Sequence, residues 1–411
     1  MKTITTLLIL ILFFGAVCAQ TARTDEQAVR SIANLLIRDT VYGFVDRKTG
    51  QIYLQAKDAP AEADLRLLSD YTTWRYTNGV INLGMLQAAA YLKDDTYKNF
   101  VLKNMAFAFD NVPVLEARHK GQPKNEYPLA RFFLMQELDD CGSMCSSVIE
   151  AFQYDKRKDY QDYIQKTAAH VSTRQQRLPD GTLVRTSPFK MTLWADDLYM
   201  SISFLARMGK YFGETKYFDD AIKQVINFHK YLFDKNGELY YHYWYDDLKR
   251  PGPAYWGREN GWIMLAKTAL LSCLPPNYPG RDSVLALFEE QMLGIARYQG
   301  PQGLWHQVLD KTDSYLESSC TAMFTYSIAK AVNEGWVDRR YATIALRGWD
   351  GLKTKIRDDG QIEDICVGTG TSADLVFYYN RPARINDDHG IGAALLAGTE
   401  IMKLQENLKK R

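Results

Sequence analysis

The chain has little of what metal, nucleotide and serine enzymes need. Only six of its 411 residues are histidine and six are cysteine, and none fall at zinc or haem spacing. It has no glycine-rich phosphate loop and no GxSxG elbow. No cofactor and no metal is therefore expected. Apart from Cys18, the cysteines are Cys141, Cys145, Cys273, Cys320 and Cys366, an odd and scattered set that makes a poor disulfide framework. Cys141 and Cys145 lie one helical turn apart and read as buried small apolar residues. Net charge is only +1 with both signs interspersed, so no basic stripe invites nucleic acid. No Pro/Gly/Ser-rich linker or charge run divides the chain.

Long apolar runs are missing too, except at the start. Met1-Lys2-Thr3 leads one positive charge into Leu7 through Phe14, and small residues follow at Gly15, Ala16 and Ala19. This is the layout of a secretory signal peptide, too short to span a bilayer. Cleavage is expected just after Ala19, with export to the periplasm or the medium. Lipidation at Cys18 is the weaker alternative, because Gly15 stands where a lipobox wants Leu. Residues 20–411 then read as one catalytic domain without a membrane span. The oligomeric state is left open.

A repeat of composition runs through that domain. Units open on Gly79–Met85, Gly142–Cys145, Leu198–Ile202, Gly261–Leu265, Thr321–Phe324 and Gly390–Ala394, each rich in Gly, Ala, Ser or Met. Spacings of roughly 60 residues suit a helix pair with its loops. Within the second helices, apolar residues recur at three- and four-residue steps, as over Tyr217–Phe228, opposite a charged face. The small-residue helices lack a charged face and so belong inside. The expected fold is all-α, an (α/α)6 barrel of six helical hairpins. Short loop hairpins are expected at 41–45 with 51–54, and at 238–242.

The inner helices are preceded by acids and aromatics. Asp139-Asp140, Asp196-Asp197 and Asp387-Asp388 each stand before one. Asp is a favoured N-cap, so one member of a pair can cap while the other points elsewhere. If Asp139 and Asp196 both reach the barrel axis, they form a carboxylate pair whose environments can split their pKa values for acid–base work on a sugar. Aromatics are 13% of the chain. Tyr71, Trp74, Tyr76, Trp194, Trp244, Trp256 and Trp305 precede inner helices, where flat rings either stack on sugar or fill the core. Arg258 offers a planar fork for a substrate carboxylate or for a neighbouring acid such as Glu259. His242, His306 and His389 complete the polar set.

Five segments together resemble a known family: Trp194–Met200, Trp256–Trp262, Gly303–Asp310, Ser314–Ser319 and Tyr378–Pro382. From about Tyr71 onward the chain resembles the unsaturated rhamnogalacturonyl hydrolases, glycoside hydrolase family 105, and more distantly the unsaturated glucuronyl hydrolases. The resemblance implies an (α/α)6 barrel without cofactor, acting on an unsaturated oligosaccharide. It makes Asp196 the general acid and base and Asp139 its assistant, and sets Tyr76, Trp194, His242, Trp256, Arg258 and Trp262 around the substrate. The implied reaction protonates C4 of the 4,5-unsaturated uronic acid and hydrates C5. The resulting hemiketal opens and releases the remaining glycan. Trp194 and ionised Asp139 are expected to raise the pKa of Asp196, and Asp197 is expected to cap the helix. In one place the chain departs from the pattern: Arg185 stands where many members carry histidine. Two rival readings stay open, another barrel enzyme on glycans (a conventional glycosidase, lyase or epimerase) and a non-catalytic oligosaccharide-binding protein.

Overall fold

A computed structural model describes residues 23–121 and 127–410. The leader expected over residues 1–19, Cys18 included, lies outside the described residues. Helices of three turns or more are α1 (Asp25–Asp39), α2 (Tyr76–Leu92), α3 (Asp95–Arg118), α4 (Gly142–Phe152), α5 (Lys158–Ala169), α6 (Asp196–Phe212), α7 (Thr215–Leu232), α8 (Gly257–Cys273), α9 (Arg281–Arg297), α10 (Ser318–Asn333), α11 (Ala342–Lys353) and α12 (Asp388–Lys409). The inner ring runs α2, α4, α6, α8, α10, α12 and closes back on α2. Outside it α3, α5, α7, α9 and α11 each pack on the inner helix that precedes them. The fold is the expected (α/α)6 barrel.

Composition decides which ring a helix joins. α7 buries Tyr217, Phe218, Ala221, Ile222, Val225, Phe228 and Leu232, one stripe at helical spacing, and leaves its charges in water. α8 is buried on every side, from Gly257 to Leu271. Small residues let the inner helices approach closely. A Cβ on Gly142 would stand 1.6 Å from the Met200 carbonyl oxygen, so only glycine permits this contact of α4 with α6.

One unit differs from expectation. The sixth inner helix, α12, takes its outer partner from the opposite end of the chain, where α1 lays Ala28, Val29, Ile32 and Ala33 into the core. A ring built from a linear chain has to join its ends somewhere, and here the joint is α1 on α12. Thr24 opens α1 with a capping box, its hydroxyl accepting from Gln27 N–H at 3.2 Å.

The loop strands also pair more widely than expected. Phe44–Asp46 pairs with Ile52–Tyr53 and, on its other edge, with Leu65–Leu67. Leu239–Tyr240 folds back on Phe233–Asp234. Thr192–Trp194 pairs antiparallel with Tyr243–Tyr245, Trp194 facing Tyr243. This last ladder ties the segment before α6 to the segment before α8.

Candidate active site

The inner helices begin at one mouth, and the 192–194/243–245 ladder brings two of its segments together. Past the ladder, Ala195 N–H donates to the His242 carbonyl at 2.9 Å. The imidazole of His242, fully buried, therefore lies across from the first residue of α6. Its Nε2 is 3.1 Å from Asp196 Oδ2, and its Nδ1 is 2.8 Å from the Tyr378 hydroxyl. Trp194, Trp256 and Tyr378 enclose the ring at centroid distances of 5.7, 4.8 and 5.6 Å.

Burial alone would raise the Asp196 carboxyl. The hydrogen bond from His242 and the charges of Arg185 and Arg258 beyond it outweigh burial and hold the group below the usual aspartate value. This reverses the expectation that Trp194 and Asp139 keep Asp196 protonated in the free protein. Asp139 fails to do so because its charge is already engaged. Arg185 grips it through two bonds, Nη1 to Oδ2 at 3.0 Å and Nη2 to Oδ1 at 3.1 Å. The same guanidinium donates from Nε to Asp197 Oδ2 at 2.9 Å and lies 4.1 Å over the Trp194 ring. Arg185 is therefore a three-bond clamp on two carboxylates.

Asp197 is not the helix cap it was expected to be. The residue ahead of α6 is Ala195, with no side-chain cap, and Asp197 is turned inward to Arg185. Burial drives its carboxyl well above the usual range, Arg185 opposes, and Asp139 adds repulsion. Asp140 and Asp387 do act as turn acceptors. Asp140 takes the N–H groups of Gln136 and Glu137 at 3.0 and 3.1 Å, and Asp387 takes that of His389 at 3.3 Å.

Arg258 is 1% exposed and is already occupied. It lies 4.5 Å over Trp256 and donates to the carbonyls of Cys366 and Val367, the latter at 2.5 Å. Its two terminal nitrogens hold the chain at 366–367 while Nε has no partner, and it does not pair with Glu259. Glu317 anchors the same segment, its Oε1 accepting Cys366 N–H at 2.9 Å.

Tyr76 meets His389 through hydroxyl and Nε2 at 2.7 Å, and His389 Nδ1 faces Asp387 and Asp388. The three ligand-type side chains 387–389 converge within 4.8 Å, yet both ring nitrogens are spent on neighbours. Asp388 also accepts from the Thr77 hydroxyl at 2.7 Å and forms an ion pair with Arg75 at 3.3 Å. Burial raises the Tyr76 hydroxyl, with Asp139 the next contributor, so Tyr76 and Asp139 share one field.

The aromatic positions divide. Tyr76 and Trp244 keep part of their surface open, and Trp194 keeps 8%. Trp256 and Trp262, each 1% exposed, are walls behind the site and present no open stacking face. Trp262 is stacked on Tyr199 at 4.9 Å. Trp74 and Trp305 belong to the core, bonded to Tyr163 and the Ile295 carbonyl. Sequence reasoning gave no role to Tyr378 or to the Arg185 clamp. Their only signals were the Tyr378–Pro382 segment and the departure from histidine.

A closed helical ring whose mouth holds buried carboxylates, a histidine and tryptophans defines a glycan-processing barrel enzyme. The chain belongs to Glycosyl Hydrolase Family 88, whose sequence profile matches residues 45–405, and it is a glycoside hydrolase. It is 27% identical over 255 residues to the unsaturated rhamnogalacturonyl hydrolase YesR of Bacillus subtilis, covering 61% of this chain and 72% of that one. An unsaturated 3S-rhamnoglycuronyl hydrolase of Alteromonas is 30% identical over 217 residues, covering 51% of each. The chain thus spans about half the length of the Alteromonas relative. A family 105 glycoside hydrolase of C. acetobutylicum superposes with a TM-score of 0.73 at 23% identity, over 91% of this chain and 99% of that one. The unsaturated glucuronyl hydrolase of Bacillus sp. GL1 gives 0.64 at 17%, over 91% and 96%.

Proposed function

We propose that the protein removes a terminal 4,5-unsaturated uronic acid, of the galacturonyl type, from lyase-cleaved rhamnogalacturonan or pectin oligosaccharides. The observation that carries this reading is Asp196, placed by α6 at the mouth and hydrogen-bonded through one oxygen to His242. The relatives named for unsaturated uronyl substrates support it.

In this reading Asp196 gives its proton to C4, positive charge develops at C5, and Asp196 as carboxylate then draws a proton from the water that adds there. The hemiketal opens and expels the glycan. Asp196 is ionised in the free protein at neutral pH. The incoming uronate brings a negative charge and displaces water, and both raise the Asp196 pKa, so the proton is taken up together with substrate. Tyr76 and Trp194 face the sugar. Arg258 holds the 366–367 carbonyls and adds positive charge from behind.

The test offers a panel of lyase-generated disaccharides and follows loss of ultraviolet absorbance from the conjugated double bond. Turnover in heavy water should leave deuterium at C4. Asp196→Asn keeps the shape but removes the transferable proton, so kcat should fall by about 10²–10⁴-fold with the melting temperature nearly unchanged. An active Asp196→Asn variant, or a product without deuterium, overturns the assignment.

A further inference from the structure

We infer that Tyr378 is a positioning residue for the catalytic acid: its hydroxyl fixes His242 as the tautomer whose Nε2–H donates to Asp196. This rests on the reading of Asp196 as the acid; the arrangement of protons follows from geometry alone.

The chain of hydrogen bonds has one end that cannot reverse. Ser372 N–H, a backbone donor, points at the Tyr378 oxygen at 3.4 Å. The Tyr378 oxygen therefore accepts there, and its single proton goes elsewhere. Among the described residues the acceptor within reach is His242 Nδ1, at 2.8 Å. Burial of Tyr378 raises its pKa and keeps that proton in place. With Nδ1 accepting, the imidazole proton sits on Nε2, 3.1 Å from Asp196 Oδ2. A protonated Nδ1 would leave the phenol proton, which cannot turn toward the Ser372 N–H, without an acceptor.

The surroundings enclose the ring. His242 is fully buried among Trp194, Tyr243, Trp256 and Tyr378. The titratable groups around it are Asp196, Tyr243 and Tyr378, with Glu259 of α8 acting on both Asp196 and Tyr378. Burial raises the Glu259 carboxyl, and Nε2–H donates to Asp196 Oδ2 at 3.1 Å. Asp196 Oδ2 is thereby held as an acceptor, and the proton delivered to C4 rides on Oδ1. Tyr378 never touches the sugar in this arrangement, so its influence belongs in kcat and in the state of the His242 ring.

The experiment uses the full chain with ¹⁵N-labelled histidine. Ring nitrogen shifts are read by NMR and assigned with His242→Gln. Wild type should show His242 as a single Nε2–H tautomer, and Tyr378→Phe, which removes only the hydroxyl, should show a mixture with Nδ1–H. On a disaccharide substrate that variant should lose about 10- to 100-fold in kcat, the size lost when the outer partner of a functional histidine is removed, with KM within about threefold. Tyr379→Phe, whose hydroxyl bonds Asp313 at 2.9 Å, should match wild type in both readouts. Nδ1–H His242 in the wild type overturns the inference whether or not the variant folds. So do an unchanged ring spectrum in Tyr378→Phe and a raised KM with intact kcat. Because the spectrum needs no substrate, it can fail while Asp196→Asn still abolishes turnover, and the reverse.

Discussion

Replacing Arg185 with methionine removes a cation from between two carboxylates while keeping much of the side-chain volume. Three hydrogen bonds go, two to Asp139 and one to Asp197, along with the guanidinium stacked on Trp194. Deleting one partner of a buried ion pair costs about 3–5 kcal/mol, because the charges left behind stay out of water. With an unfolding entropy of about 2.1 cal/mol/K per residue over roughly 390 residues, near 0.8 kcal/mol/K in all, the melting temperature should drop by about 4–6 °C. The loss should also depend on pH. Asp197 is an acid whose folded pKa lies above its unfolded value of about 3.9. Between those two values the folded state binds more protons, so the contribution of Asp197 to stability falls as pH rises through that window. The wild-type window ends near the folded value of about 8; without Arg185 the folded pKa climbs further and the window widens upward, so the gap between variant and wild type should be wider at pH 9.5 than at pH 8. Calorimetric melts at both pH values measure it. A shift under about 1 °C at pH 8, or an equal shift at both, would refute the view that Arg185 neutralises these two acids.

Other outcomes follow from the same geometry. If Asp196 must bind a proton to act and starts below the usual aspartate pKa, kcat/KM should decline from pH 5 to pH 8, by up to about tenfold per unit; a flat or rising profile over that range means a different group supplies the proton. Arg258→Lys exchanges a fork that spans two carbonyls for a single point donor, so it should lower stability by about 1–2 kcal/mol as well as raise KM. A raised KM with an unchanged melt would instead make Arg258 a direct contact for the sugar. Gly142→Ala forces a Cβ against the Met200 carbonyl, and prising α4 from α6 should cost about 3 kcal/mol or more, seen as a collapse in soluble yield or in the melt; a variant that melts like wild type would show that these helices can part freely.

What the sequence determined by itself was whatever depends on neighbours along the chain. The three-and-four spacing over Tyr217–Phe228 made an outer helix, and the small residues from Gly142 to Cys145 made an inner one, because helix period and side-chain volume are local properties. Asp196 was legible as a mouth residue because it opens α6 in a recognisable segment. Three things were not legible. α1 closes the ring on α12 from the far end of the chain, and nothing in residues 25–39 names that partner. Asp197 had the local character of a cap, but Arg185, 12 residues upstream, outbid the backbone for it. The acid's environment was set by still longer reaches, His242 lying 46 residues from Asp196 and Tyr378 lying 136 from His242. The loop ladder sets His242 3.1 Å from Asp196 and the fold sets Tyr378 2.8 Å from His242, and the proton on Asp196 answers to charges and hydrogen bonds at that range, whatever their distance along the chain.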